Sequence, residues 1–439
     1  MRLIRVDWIV DDMELARDIP SATLGAAPLL RRGVSLTPSL AARLLALGVR
    51  AVWIEDDMGD GIVPNQPLPD HVRNATERAV HSCMEAARSV ASDLADLPPR
   101  ALAQIQQAAE ALTEALASCP EAALAFDDLA TADSYTYSHS VRVATLGLLI
   151  GQRIDRIDGW IDYRGERRFD RTVERMTQLA MGLMIHDIGK LAIPDSILNK
   201  PGKLTPEEWE LIKTHPTAGV SMLTSPRISP LTRCIVRDHH ERWDGQGYPA
   251  GRAGTDIHQF ARIAAVADVY DAITADRPYQ PATAPHVGVR VIREGAGTQF
   301  DEQVVAHFLR IAMPYPVGYT ITLPDGSSGA VVGVDPESPE YPVIRHRDAD
   351  GALVERAIHV VDGVVMAPGA GGPTGQPPGE PLAAHDARVG AASPAGAAGA
   401  VSMVRADAQR AHPRPSHVRE PVAIRSAVGS PGSAWLPAA

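Results

Sequence analysis

Apolar residues return every third or fourth position through the middle of the chain, and at about every second position near its start and again after residue 316. The first spacing predicts helices with one buried face, the second half-buried strands. LIRVDWIV and VRAVWIED carry the β-branched and aromatic residues of strands. Between them, LTPSLAARLLALG predicts a helix with Thr37 as N-cap, Pro38 at its first position and Gly48 as its stop. Residues 1–66 therefore read as a small α/β module with no catalytic set of its own.

Residues 67–127 are alanine-rich at helical spacing and predict connecting helices, which could also pair with a second copy of the chain to give a homodimer. Residues 128–313 read as helix after helix. TPEEWELIKTH opens with a capping box, Thr205 and Glu208 around Pro206, and FARIAAVADVYDAITA is a long apolar-faced helix. No strand is expected there, so the fold class is mainly α, an all-helical core with small additions. Residues 314–366 return to alternation as a small β extension, with hairpins around Asp325-Gly326 and Asp350-Gly351. From 367 to 439 the chain is mostly Pro, Gly and Ala, too little apolar bulk to offset the entropy of ordering, and a disordered tail is expected.

Charge narrows the function. A net charge of -11 argues against a broad basic surface for duplex nucleic acid. No apolar run approaches the roughly 20 residues that a membrane span needs. The start, MRLIRVDWIVDD, turns acidic too soon for a secretion signal, so a cytoplasmic location is expected. Cys83, Cys119 and Cys234 show no C-x-x-C spacing and read as reduced thiols. Only four of the 42 basic residues are lysine, and all four (Lys190, Lys200, Lys203 and Lys213) fall in one short window. Lysine is a compact, strongly hydrated point charge, so the window suggests one needed for that property.

Of fifteen histidines, five have acidic or histidine company: His139, His186, His215 and the adjacent pair His239-His240. Asp187, beside His186, and Asp268 join them. Imidazole nitrogen with carboxylate oxygen suits first-row divalent metals. Seven candidates exceed one tetrahedral site and suit two ions that share a carboxylate. Helix neighbours point about 100° apart, so His239 and His240 serve two ions more easily than one. Asp187 is the natural bridge, and Asp271 lies at i+3 from Asp268 on the same helix face.

MIHDIGK followed by HHERWDGQGYP resembles the HD-GYP domain, a branch of the HD phosphohydrolase superfamily. The likeness covers about residues 130–313, with DSYTYSHS, the stretch from HDIGK to KTHP, and ARIAAVADVYDAITADRPY in the expected order. The first 66 residues resemble the small domain that often precedes such cores. The resemblance implies a metal-dependent phosphodiesterase that hydrolyses the bacterial second messenger cyclic di-GMP to pGpG or GMP. It implies two divalent ions, iron first and manganese second, held by His139, His186, Asp187, His215, His239, His240 and Asp268. It gives Asp187 and Lys190 catalytic roles. It gives Lys190, Arg277, Asp271, Gly247, Tyr248 and Pro249 contacts with substrate.

Two positions depart from the family. Tyr135 stands where some members place a glutamate for a third metal, so a binuclear site is expected. Gln280 stands where many members have a basic residue, which removes one charge contact to substrate. Two other readings stay open. The chain could be a catalytically weak signalling adaptor that binds nucleotide, a diguanylate cyclase or another protein through the Gly247-Tyr248-Pro249 loop. It could also be a di-iron oxygenase, since HD scaffolds host oxygen chemistry. Metal analysis with a hydrolysis assay separates the first, and oxygen consumption the second.

Overall fold

Strand β1 (Arg2–Arg5) opens the chain in the computed structural model, which describes residues 1–21, 27–64, 68–91, 96–117, 135–161, 166–200, 202–275, 283–361 and 364–365. Arg277, Gln280, Cys119 and the tail 367–439 lie outside the described residues. β2 (Met13–Leu15), β3 (Ser35–Leu36), α1 (Pro38–Ala46) and β4 (Ala51–Glu55) follow. The four strands form an antiparallel sheet in the order β1-β4-β2-β3. Ile4, Leu15, Leu36, Leu44, Val52 and Ile54 close its core. The helix starts as expected: the Thr37 side chain accepts from the Leu40 amide, and Gly48, just past the end, takes a φ of 84°. The first strand is shorter than LIRVDWIV suggested, because Val6–Trp8 turn into a 3-10 helix.

α2 (Asp70–Arg88) and α3 (Pro99–Ala117) follow. Their apolar faces, through Val80, Met84, Ile105, Leu112 and Leu116, belong to one continuous cluster with α4 (Tyr135–Ile157) and α5 (Thr172–Met184). These faces are covered within the chain, where the sequence left them open to a second copy. Between α4 and α5 comes a feature the helical reading did not expect, a short hairpin of β5 (Trp160–Ile161) and β6 (Arg167–Arg168). Trp160 turns to the body of the fold, its ring 4.4 Å from the Arg175 guanidinium carbon.

The helical body continues with α6 (Asp195–Leu198), α7 (Pro206–Ile212), α8 (His215–Ser221), α9 (Pro230–Asp238), α10 (Gln259–Thr274), α11 (Pro285–Glu294) and α12 (Glu302–Phe308). The capping box at Thr205 is complete, each partner bonding the other's backbone amide. α10 is buried almost all round, as befits the central helix of the body. No described helix is long and apolar enough to cross a membrane.

β7 (Thr320–Thr322), β8 (Ser328–Gly333), β9 (Val343–Arg347) and β10 (Leu353–Ala357) make an antiparallel sheet, followed by the pair β11 (Val360–Val361) and β12 (Val364–Val365). Gly326 and Gly351 sit at φ near 83° and 82° in the two predicted turns. This extension meets the N-terminal module. The Leu3 amide donates to the Gly318 carbonyl at 2.8 Å, and Met58 and Ile62 pack with Ala330.

Candidate metal centre

Every histidine of the candidate set stands at or near a helix end, and helix backbone holds the rings of three of them. His139 lies in the first turns of α4, and His186 directly follows α5. Asp187 caps a 3-10 turn, Ile188–Ala192, that carries Lys190. His215 opens α8, His239 caps the end of α9, and His240 follows it. Asp268 and Asp271 project from α10. All are buried except His240 and Lys190, which are partly so.

The rings are fixed from behind. Nδ1 of His186 donates to the Leu183 carbonyl at 2.7 Å, that of His215 to Ile212 at 2.8 Å and that of His239 to Val236 at 3.0 Å. A carbonyl only accepts, so each Nδ1 carries hydrogen and each Nε2 is turned to the centre.

At that centre Asp187 has a different set of rings on each oxygen. Oδ1 lies 3.5 Å from Nε2 of His215 and 3.7 Å from Nε2 of His239. Oδ2 lies 3.3 Å from Nε2 of His186 and 3.7 Å from Nε2 of His139. Asp268 closes the second group, its Oδ1 3.4 Å from His139 Nε2 and 3.8 Å from His186 Nε2. His240 belongs with His215 and His239. All seven sequence candidates therefore converge, in two groups that share Asp187.

Electrostatics separates the two groups. Burial favours neutral rings, yet Asp187 and Asp268 outweigh it at His139 and His186, which rise to about 9 and about 10. His215 falls to about 3, through burial against only partial opposition from Asp187. His240 is also lowered, by burial and by its neighbour His239. Burial works against ionised Asp187 and Asp268 too, but the surrounding cationic groups hold both well below the usual carboxylate range.

Among the described residues, polar atoms crowd this centre without hydrogen-bond partners: His186 Nε2, His240 Nε2, Asp187 Oδ1 and Asp268 Oδ1. Burying such atoms is unfavourable unless something satisfies them. Nitrogen and oxygen donors aimed inward from a fixed shell fit divalent cations of the imidazole- and carboxylate-preferring kind.

The residues expected to contact substrate differ in their surroundings. Asp271 is expected at substrate from the sequence, and its carboxylate is engaged by protein groups. It is buried behind His139, accepting from Arg142 Nε at 2.5 Å and meeting His139 Nδ1 at 2.7 Å. It orients that ring, with its own pKa lowered to about 2 as Arg142 and His139 overcome burial. Lys190 lies inside the site, its Nζ 2.8 Å from Asp187 Oδ2. Gly247 is a packing position: a Cβ there would come within 2.4 Å of the Arg242 amide nitrogen and 2.6 Å of the His240 carbonyl. Tyr248 lies flat on His240, ring centres 4.7 Å apart at 28°, and Pro249 is exposed.

Two residues escaped the sequence reading. Arg142 sits three positions after His139, one turn along the same face, which was the available clue. Glu241 follows the histidine pair and is 3% exposed; its oxygens accept from the amides of Ala250 at 2.7 Å and Arg252 at 2.9 Å. A glycine-rich loop leaves amides to satisfy, and an acid at its root was the signal.

The HD-domain family model matches residues 148–304. A cyclic di-GMP phosphodiesterase of Pseudomonas aeruginosa is 35% identical over 328 residues, 70% of this chain and 75% of that protein. The chain belongs to the HD-GYP family. Two further relatives of this HD-GYP protein are matched over less of their length. A cyclic di-GMP phosphodiesterase of Thermotoga maritima is 38% identical over 156 residues, 35% of this chain and 42% of the relative. A 3'3'-cGAMP-specific phosphodiesterase of Vibrio cholerae is 33% identical over 199 residues, 45% and 40% of the two chains.

Proposed function

We propose that the protein is a phosphodiesterase that hydrolyses cyclic di-GMP to the linear dinucleotide pGpG and then to GMP, using two divalent cations, iron first and manganese second. The observation that carries this reading is the placement of Asp187, with two imidazoles within 3.7 Å of each of its oxygens. His139, His186 and Asp268 would hold one cation, and His215, His239 and His240 the other, with Asp187 shared. When bound, such cations would lower the pKa of water and neutralise charge on the scissile phosphate.

The chain's own residues do the rest. Backbone carbonyls hold the rings of His186, His215 and His239 in place, and Asp271 holds that of His139, so little reorganisation is needed on binding. Lys190 is long and only 12% exposed, and its ammonium can turn from Asp187 to a phosphate oxygen as negative charge builds there. Tyr248 covers His240 and limits the access of bulk water from that side.

The test is chromatography of cyclic di-GMP digests by anaerobically purified protein and by a His186→Ala/Asp187→Ala variant. The wild type should release pGpG or GMP, and the folded variant neither. Equal turnover by both would refute the reading.

A further inference from the structure

α7 is a short acidic surface helix, and of its side chains only Ile212 is fully buried. Trp209 lies three residues before Ile212, on the same side. Its ring centre is 6.2 Å from that of Tyr248, with the planes at 79°. Tyr248 in turn stacks on His240 and lies 6.4 Å from His215. Trp209 is half-buried, so part of the indole stays open. The two rings make an apolar corner one ring out from the imidazole and carboxylate cluster.

Two of the three glutamates of α7 are paired with lysines, which reduces repulsion of an anion at this corner. The neighbours of Trp209 in the chain, Glu208 and Glu210, would repel one. Each is held in an ion pair: Lys200 Nζ is 2.7 Å from Glu208 Oε2, and Lys213 Nζ is 2.5 Å from Glu210 Oε1. With Lys190 at the cluster, this accounts for three of the four lysines in the chain's lysine window. A nucleotide presents a phosphate and, one sugar away, a flat purine with two π faces. The cluster suits the first and the corner suits the second, since stacking on aromatic side chains is the general way proteins hold an unpaired base.

We propose that Trp209 is a base-binding residue, stacking one guanine of a cyclic dinucleotide whose phosphate lies at the Asp187 cluster. The proposal rests on the phosphodiesterase reading and adds a second point of attachment to it. The competing role is purely structural: the indole would only shore up Tyr248.

The test compares Trp209→Leu, which keeps apolar bulk under the loop, with Trp209→Phe, which keeps a stacking face, in the metal-loaded full chain. Loss of one stacked base predicts a roughly 5- to 150-fold rise in KM for cyclic di-GMP in the leucine variant. Its kcat should stay within about threefold and its metal content unchanged, and the phenylalanine variant should recover most of the affinity. An unchanged KM in the leucine variant overturns the proposal. So does a fall in kcat and metal content with KM unmoved, which is the outcome of a shoring role. If the wild type does not turn over cyclic di-GMP, the phosphodiesterase reading has failed. The same variants are then compared by equilibrium binding of labelled cyclic di-GMP. Weaker binding by the leucine variant alone upholds Trp209, and equal or absent binding throughout overturns it.

Discussion

Gly189 is where the fold tests the geometry of the centre most sharply. It lies two residues after Asp187, in the 3-10 turn, against the start of α8, which carries His215. A Cβ at Gly189 would stand 1.9 Å from the His215 carbonyl oxygen and 2.4 Å from the Gly219 amide nitrogen, where ordinary contacts begin near 3.4 Å. Both obstacles are backbone, so no side chain can swing aside. Gly189→Ala must push the turn and α8 apart by roughly an ångström or more, enough to cost about 100-fold in rate when the catalytic geometry is displaced. That displacement acts on the 3.5 Å approach of His215 to Asp187 and the 3.3 Å approach of His215 to His239. Overpacking of this kind destabilises by about 1–3 kcal/mol, less than the 5–15 kcal/mol typical of a folded domain, so the variant should remain folded. The assay is initial-rate hydrolysis of cyclic di-GMP, with metal content by elemental analysis and folding by circular dichroism. Gly333→Ala is the control, because a Cβ there would meet only Val343, at 3.9 Å. Full metal content and turnover within threefold of wild type in Gly189→Ala would refute the argument that this close approach sets the site.

Other residues give independent checks. Asp271→Asn removes the charge that bonds the buried Arg142 guanidinium and loosens His139, so metal affinity measured by chelator competition should fall about 10- to 100-fold; unchanged affinity would contradict the ring-orienting role. Glu241→Ala frees the amides of Ala250 and Arg252, and hydrogen exchange should quicken in residues 245–254 while α10 keeps its protection. Burial pushes the thiols of Cys83 and Cys234 up to about 12, so neither should react with iodoacetamide at pH 8 in the native protein, and both should react in denaturant. Mass spectrometry of the digested protein reads that difference directly.

Much of the fold was legible because its local signals are strong. Thr37 and Thr205 have the side chains and following prolines that start helices, and the Asp-Gly pairs at 325–326 and 350–351 meet the positive φ of their turns. The seven candidate ligands were legible as a set because their residue types share one chemistry. What lay hidden depends on partners distant in sequence. Asp271 and Arg142 are 129 positions apart, and nothing local distinguishes a carboxylate that faces the centre from one that holds a ring behind it. The faces of α2 and α3 were readable as apolar but not as covered by α4 and α5, since periodicity does not name the surface that a face meets. The meeting of Leu3 with Gly318 joins opposite ends of the described chain and leaves no trace in either stretch. The hairpin of Trp160–Ile161 with Arg167–Arg168 was missed because two-residue strands are too short to show alternation.

Asp187 as the carboxylate shared by two cations is the central claim, and metal stoichiometry tests it most directly. Anaerobically purified wild-type protein and Asp187→Ala should be compared by elemental analysis per folded chain. The account predicts about two equivalents of divalent metal in the wild type and loss of both in the variant, because the shared ligand serves each group. Two tightly held equivalents in a folded Asp187→Ala, or a wild type that is fully active with a single equivalent, would contradict it.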